Sequence, residues 1–338
     1  MSAMIEAEGL TKTFPGGVTA VDGVTFTVEE GEIFGFLGPN GAGKSTTIAM
    51  LTTLMKPTSG SARVAGMSIT RQAYQVRLAI GYVSQDLAVD DNLTGYENLR
   101  LQAGFYHIPR AEAERRIAEV LEMVELSGRA KDLVETYSGG MRKRLDIACG
   151  LIHRPRLLFL DEPTLGLDIQ TRREIWQYIN HLREDIKMTI FLTTHYMDEA
   201  DALCDRIAII DYGRIKVMDA PSRLKSALGD ELVEFRFTTG TEEEIAAAVE
   251  TIRRQDFVTG VREAGERGYV AVVTNGETAV PRIFEAIAGM PAHIGAITHK
   301  RPSLDDVFLH YTGREMRENG GSRDEAMRSR MIMRRARG

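Results

Sequence analysis

The chain has 338 residues, of which 43% are hydrophobic and 27% charged, and carries a formal net charge of -6. That length is ample for two cores, and the composition is that of an ordinary globular protein. The acidic balance argues against a nucleic-acid partner, whose phosphates favour a basic surface. Two cysteines, Cys149 and Cys204, exclude a disulfide framework and point to a reducing, cytosolic compartment. The first residues, MSAMIEAEGLTKTF, lack the basic-then-apolar layout of a signal peptide. The most apolar short runs, Leu157 to Leu160 and Ile207 to Ile210, fall far below the roughly 20 residues needed to cross a bilayer. A membrane role is therefore expected to run through a partner.

From Met4 to about Gly229, short apolar strands alternate with helical stretches, the pattern of a mixed sheet flanked by helices. Glu32 to Leu37 (EIFGFL) reads as a buried strand. It runs into GPNGAGKST (Gly38, Pro39, Asn40, Gly41, Ala42, Gly43, Lys44, Ser45, Thr46), with a helix from Lys44 onward. This fits the G-x-x-x-x-G-K-[ST] phosphate loop in its proper setting. Glycines let backbone N–H groups curl around phosphates, and the helix N-terminus adds partial positive charge. Lys44 is expected to reach the terminal phosphates, and Ser45 to place its hydroxyl on a magnesium ion. A glycine-rich turn with a surface lysine is the plainer alternative.

Ala111 to Leu126 is an amphipathic helix, with Ile117, Val120, Leu121 and Val124 on one face. In Tyr137 to Leu151 (YSGGMRKRLDIACGL), Ser138, Gly139 and Gly140 precede a helix with a basic start. That is an anion-binding arrangement, or simply a helix cap. The strand Arg156 to Leu160 ends in Asp161 and Glu162, at the carboxyl end where such sheets bind ligands. One carboxylate there can orient magnesium, and its neighbour can take a proton from an attacking water. Taken alone, it is a strand-end turn with solvated charges. Met188 to Leu192 and Asp205 to Asp211 are further buried strands. A turn at Tyr212-Gly213 leads to a short strand, Arg214 to Met218.

After Gly229 the pattern changes. Val233 to Phe237 is a half-exposed strand, and Thr241 to Arg254 a helix with Thr241 and Glu244 spaced as a capping box. Phe257 to Arg262 and Tyr269 to Thr274 read as strands, Thr278 to Gly289 as a helix, Ile294 to Lys300 as a strand and Ser303 to Tyr311 as a last helix. The order β-α-β-β-α-β predicts a small α+β ferredoxin-like domain over 230–313. Residues 314–338 form an Arg-rich tail, read as solvated and disordered, or else as an arm for anionic lipid or a partner protein.

Taken in order, these motifs resemble the ATP-binding subunits of ATP-binding cassette (ABC) transporters, over about Met4 to Gly229. The resemblance implies an α/β P-loop NTPase nucleotide-binding domain, with a RecA-like core, an antiparallel β subdomain and a helical subdomain. SGGM then stands for the family's signature, with Tyr137 where Leu is usual and Met141 where Gln is usual. Further matches imply roles for Gln85 in GYVSQD (coupling magnesium and water to the membrane contact), Asp168 in LGLD (inter-subunit loop) and His195 in TTHYMDEAD (placing the attacking water). Phe14 in TKTFPGG matches the ring that stacks on adenine. Asp161, Ser45 and Gln85 are the implied magnesium set, and Glu162 the catalytic base.

RPSLDDVFLHYTG, Arg301 to Gly313, resembles the C-terminal motif of daunorubicin-type drug-resistance cassettes. The resemblances imply ATP and Mg2+ as cofactors and hydrolysis shared by two cassettes, as a homodimer or a heterodimer with a similar subunit. They also imply separate transmembrane permease subunits, contacted near Gln85 and Gly95 to Asn98. The expected place is peripheral, at the cytoplasmic face of the membrane, with no nucleic acid partner. Export of a drug-like or lipid-like molecule is favoured over import. A soluble cassette ATPase on nucleic acid or ribosomes, and an ATP sensor without turnover, are the rival classes.

Overall fold

The computed structural model describes residues 3–228, 231–274, 276–300 and 302–313. Gly229, at the expected domain boundary, Arg301 of the C-terminal motif and the Arg-rich tail, 314–338, lie outside the described residues. The described chain divides into two compact units at Asp219/Ala220.

The first unit opens with the long strands β1 (Ala3–Thr13) and β2 (Thr19–Glu29), then β3 (Ile33–Leu37), helix α1 (Lys44–Leu51), β4 (Ser59–Val64), β5 (Met67–Ser68), α2 (Ala73–Ala79) and β6 (Ile80–Val83). Three helices follow: α3 (Gly95–Phe105), α4 (Arg110–Met123) and α5 (Gly139–Leu151). The unit closes with β7 (Leu157–Asp161), α6 (Ile169–Ile186), β8 (Thr189–Thr194), α7 (Met197–Leu203), β9 (Arg206–Asp211) and β10 (Arg214–Asp219). One sheet is antiparallel, in the order β2-β1-β4-β5. The other has the order β10-β9-β3-β8-β7-β6 and is parallel except for the β9–β10 hairpin.

Strands β3, β7 and β8 are buried at every residue, as inner strands of a parallel sheet covered on both faces must be. Phe26 of the antiparallel sheet stacks among Phe34, Phe36 and Phe191 of the parallel one, with ring centroids 5.5–6.0 Å apart. Each such ring contributes roughly 1.5–3 kcal/mol by leaving water. The strands are thereby locked in register: Leu37 pairs with Thr194, Thr193 with Asp161, and Leu160 with Val83. The carboxyl ends of β3, β8, β7 and β6 therefore emerge side by side. Gly38, His195, Glu162 and Gln85 lie one or two residues past those ends.

Helix α4 buries Ala113, Ile117, Val120 and Leu121, with Val124 at its C-cap, so the predicted stripe faces inward. The helix stops at Met123 because Glu125 turns into the left-handed region, at φ 55°.

The second unit begins earlier than the change in sequence pattern. Helix α8 (Pro221–Ser226) goes with it, burying Pro221 and Leu224 and packing on the final helix. Then come β11 (Glu231–Thr239), α9 (Glu242–Arg253), β12 (Val258–Glu263), β13 (Gly268–Val273), α10 (Gly276–Ala286), β14 (His293–Lys300) and α11 (Leu304–Thr312). The sheet order is β12-β13-β11-β14, antiparallel throughout. This is the topology of a ferredoxin-like sandwich.

The C-terminal motif has a packing role in this unit. Leu304, Val307 and Phe308 are buried. Asp306 closes a capping box with Ser303 and pairs with Arg262 at 3.0 Å and Lys300 at 3.5 Å. Burial alone would raise the Asp306 carboxyl, but the Ser303 hydrogen bonds and the two cations outweigh it and hold it below the usual range. The stabilisation is therefore present above the ordinary carboxylate pKa and is lost as pH falls through the depressed one. Asp306→Ala is expected to cost about 1–2 kcal/mol. Hydrogen exchange of α11 in the intact chain at neutral pH should speed up by about five- to thirtyfold. Unchanged protection would show that the motif's second Asp is not a structural latch.

Candidate functional site

The turn after β3 is shaped by close backbone approaches. A Cβ on Gly38 would lie 2.3 Å from the Ile210 carbonyl oxygen, and one on Gly43, at φ 108°, 2.5 Å from that of Ala20. Only glycine fits at either position. Gly43 is also the N-cap of α1 and offers no capping side chain, so the N–H groups of the first turn remain for an anion.

Lys44 follows, 4% exposed. Its Nζ donates to the Gly38 carbonyl at 2.6 Å and lies 3.0 Å from Glu162 Oε1. The other Glu162 oxygen accepts from His195 Nδ1 at 2.9 Å. Glu162 itself takes the left-handed conformation, φ 49°, and its N–H donates to the carbonyl and to Oγ1 of Thr193, each at 3.1 Å. Burial pushes the Glu162 carboxyl up, but the His195 hydrogen bond and the Lys44 charge prevail and hold it below the ordinary range. The residue is thus kept ionised between two donors.

Asp161, beside it, is held differently. Its Oδ1 accepts from Thr193 Oγ1 at 2.5 Å and from Ser45 Oγ at 3.3 Å. Burial dominates here and raises its carboxyl. The Ser45 hydroxyl and the Asp161 carboxylate are hard oxygens of the kind that would suit Mg2+. The structure thus gathers Gly38, Pro39, Lys44, Ser45, Asp161, Glu162 and His195 into one connected cluster.

Asn40 to Gly43 and Thr46 belong to the same turn and helix start. Phe14, Gln85, Ser138 to Gly140 and Asp168 make no hydrogen bond to the cluster among the described residues. Phe14 sits in the β1–β2 turn, half-buried, with Lys12 Nζ 5.6 Å from its ring centroid. Gln85 is exposed past the end of β6, and its side chain makes no hydrogen bond among the described residues. Ser138 caps α5 by accepting from the Met141 N–H at 3.3 Å. Ser138, Gly139 and Gly140 make no hydrogen bond to the phosphate loop or to Asp161–Glu162 among the described residues.

Gly140 is required by packing, since a Cβ would come 2.6 Å from Thr171 of α6. Tyr137 is an anchor in its own right: it is buried, and its hydroxyl donates to the Arg129 carbonyl at 2.7 Å. Asp168 caps α6, accepting from the N–H groups of Gln170 and Thr171 and from the Thr171 hydroxyl. Asn98 is spent internally, clamping the turn at Asp90 and Thr94.

Sequence reasoning missed Thr193, which holds both Asp161 and Glu162. The Thr-Thr pair before His195 was the available signal. It also missed Glu199, fully buried, which accepts from Thr164 Oγ1 at 2.7 Å and Trp176 Nε1 at 3.0 Å and so ties the loop after β7 to α7. Arg172 lies over the Tyr196 ring at 3.8 Å, and that ring is in turn 4.1 Å from His195.

A phosphate-cradling turn at a buried strand end, with paired carboxylates and a histidine on adjacent strands, defines a P-loop ATPase. The ABC transporter family model matches residues 21–165. The linearmycin resistance ATP-binding protein of Bacillus subtilis (strain 168) is 38% identical over 93% of this chain and all of its own length. The daunorubicin/doxorubicin resistance ATP-binding protein of Streptomyces peucetius is 40% identical over 91% of this chain and 92% of its own. Among solved structures, a dimeric ATP-binding cassette in a post-hydrolysis state with ADP and phosphate is 29% identical, with a TM-score of 0.58 over 64% of this chain and 98% of its own. The chain belongs to the ATP-binding subunits of ABC transporters, and it is an ATPase.

Proposed function

We propose that two copies of this chain, or this chain and a similar one, close on two ATP molecules to drive export of a drug-like or lipid-like compound through separate membrane subunits. One observation carries the shared site. The sequence has a single phosphate loop and a single SGG helix start, and no hydrogen bond joins them among the described residues. A second protomer supplies the missing half by isologous pairing.

In this reading the phosphate loop and Lys44 bind the triphosphate, and Phe14 stacks on the adenine. Ser138 to Gly140 of the opposite copy meet the terminal phosphate, and Asp168 communicates between the copies. Ser45, Asp161 and Gln85 hold Mg2+, which neutralises phosphate charge when bound. Glu162 is the base toward the attacking water, and His195 positions it. ATP also changes the base. Drawing Lys44 onto the phosphates opens its ion pair with Glu162, and losing that cation raises the basicity of the carboxylate where a base is needed.

Among the described residues no helix is long and apolar enough to cross a membrane. In this reading the chain is peripheral and meets its separate membrane subunits at the cytoplasmic face. A cavity of about 230 Å³, lined by Leu54, Tyr82, Ala88, Gln102 and Tyr106, includes Ala88 at the end of the loop that carries Gln85. Leu54, Leu78, Leu87 and Phe105 around this part of the chain are large, apolar and exposed. We assign the contact with the membrane subunit to this face. The cargo class is supported by relatives named for resistance to linearmycin and to daunorubicin.

The test uses two inactive variants. Ser138→Arg is expected to lower ATPase activity about 100-fold with little change in the nucleotide affinity of the monomer. Mixed one-to-one with Lys44→Ala, it should recover about one quarter of the parental rate, because each mixed dimer holds one intact site. A collapse of monomer affinity in Ser138→Arg would place that residue in its own chain's pocket and sink the shared site.

A further inference from the structure

Helix α5 carries a buried ion pair that the reaction does not use. Lys143 and Asp146, one turn apart, are 5% and 4% exposed. Their charges stand 3.6 Å apart, and Asp146 Oδ2 accepts no hydrogen bond among the described residues. A dry, loosely matched pair costs more in desolvation than it returns, so apolar residues of similar volume would hold the helix as well or better.

What each residue does touch is the Gln85 loop. Lys143 Nζ donates to the Ser84 carbonyl at 3.0 Å. Asp146 Oδ1 accepts from the Ala88 N–H at 3.3 Å. Between these fixed ends the Ser84 hydroxyl donates to the Asp86 carbonyl at 2.6 Å, tightening the turn from which Gln85 projects. The helix that grips both ends begins at the Ser138 cap. Ala88 and Asp146 also line the cavity assigned above to the membrane subunit.

We propose that Lys143 and Asp146 are positioning residues: they clip both ends of the Gln85 loop to the signature helix, so that Gln85 and Ser138 move as one body. The idea rests on the role given to Gln85 in the proposed function. It adds a physical link between three surfaces: the docking cavity, the loop facing the chain's own nucleotide, and the SGG turn facing the partner's.

The experiment is a double-mutant cycle in the complete transporter, this chain with its membrane subunits. Lys143→Met with Asp146→Leu replaces the pair by apolar volume. It is expected to leave the melting temperature and the KM for ATP near parental and to lower kcat about tenfold. Gln85→Ala should lower kcat by a similar factor. Combining all three changes should cost no more than about twofold beyond Gln85→Ala alone, because the clip acts through that residue.

Losses that multiply, to about a hundredfold, would overturn the clip while leaving the Gln85 assignment intact. A parental rate in the apolar pair would also overturn it. A parental rate in Gln85→Ala would remove the role of Gln85 and the clip with it. Should the paired variant fail to fold, Lys143→Met alone keeps the question open to test. It removes the Ser84 contact and leaves Asp146 free to take a proton, and amide exchange at Ser84 to Ala88 should rise while that of α5 stays protected. Unchanged exchange there would count against the clip.

Discussion

Lys44→Ala is expected to abolish ATP hydrolysis, by about 1,000-fold or more, and to weaken binding of a fluorescent ATP analogue. The Nζ lies among the Gly38 carbonyl, the Pro39 carbonyl and Glu162 Oε1, with 4% of the residue exposed. Among the described residues no other lysine or arginine is bonded into this cluster to take over. Removing the cation also strands Glu162. Breaking a buried pair costs about 3–5 kcal/mol when the survivor stays charged, but Glu162 retains His195 and can take up a proton, so the loss should fall below that range.

The sign with pH follows. In the parent, the depressed Glu162 pKa adds stability above the ordinary carboxylate range, and this is lost as pH falls through the folded value. The stability deficit of Lys44→Ala should therefore be largest at neutral pH and shrink toward acid. Thermal melting across pH reads this directly. A deficit that is flat with pH, or one that grows toward acid, would mean that the ion pair with Glu162 contributes nothing.

The phosphate loop was legible in the sequence because its constraints are local. Glycines at 38 and 43, a lysine, and a strand-then-helix setting all fall within a dozen residues. The strand end bearing Glu162 was legible for a related reason: an apolar run marks a buried parallel strand, and the first polar residues after it mark the ligand edge. His195 came only from the motif match. In the second unit, the capping-box spacing of Thr241 and Glu244 announced α9, and the structure adds a second box, Ser303–Asp306, at α11.

What stayed hidden depends on register and long-range packing. Thr193 matters only because β8 lies between β3 and β7, which sets it opposite Asp161. Lys143 and Asp146 look like ordinary helix charges at i and i+3 until the fold brings Ser84 and Ala88 against them. Helix α8 reads as the tail of the first unit until its Pro221 and Leu224 are seen buried against the final helix. Asp168 and Asn98 carry bonds that no motif announces: Asp168 caps α6, and Asn98 clamps the turn at Asp90 and Thr94.

Glu162→Gln is expected to bind ATP, to hydrolyse it at about 1% of the parental rate or less, and to accumulate as a dimer on size-exclusion chromatography in ATP and Mg2+. Glutamine preserves the shape and the hydrogen-bond acceptor facing His195, and it tolerates the left-handed backbone about as well as Glu162 does. The variant therefore isolates the charge. Two effects then point the same way. The base toward water is gone, so the triphosphate bridging the two copies persists. Lys44 also loses its competing carboxylate, so its transfer to the phosphates no longer requires an ion pair to be broken. ATP affinity should rise while turnover stops, a combination that general misfolding does not produce. Parental hydrolysis in this variant would take the base away from Glu162. Lost hydrolysis with weakened ATP binding and no dimer would instead mean that the carboxylate serves to order the empty loop, and that the water is activated elsewhere.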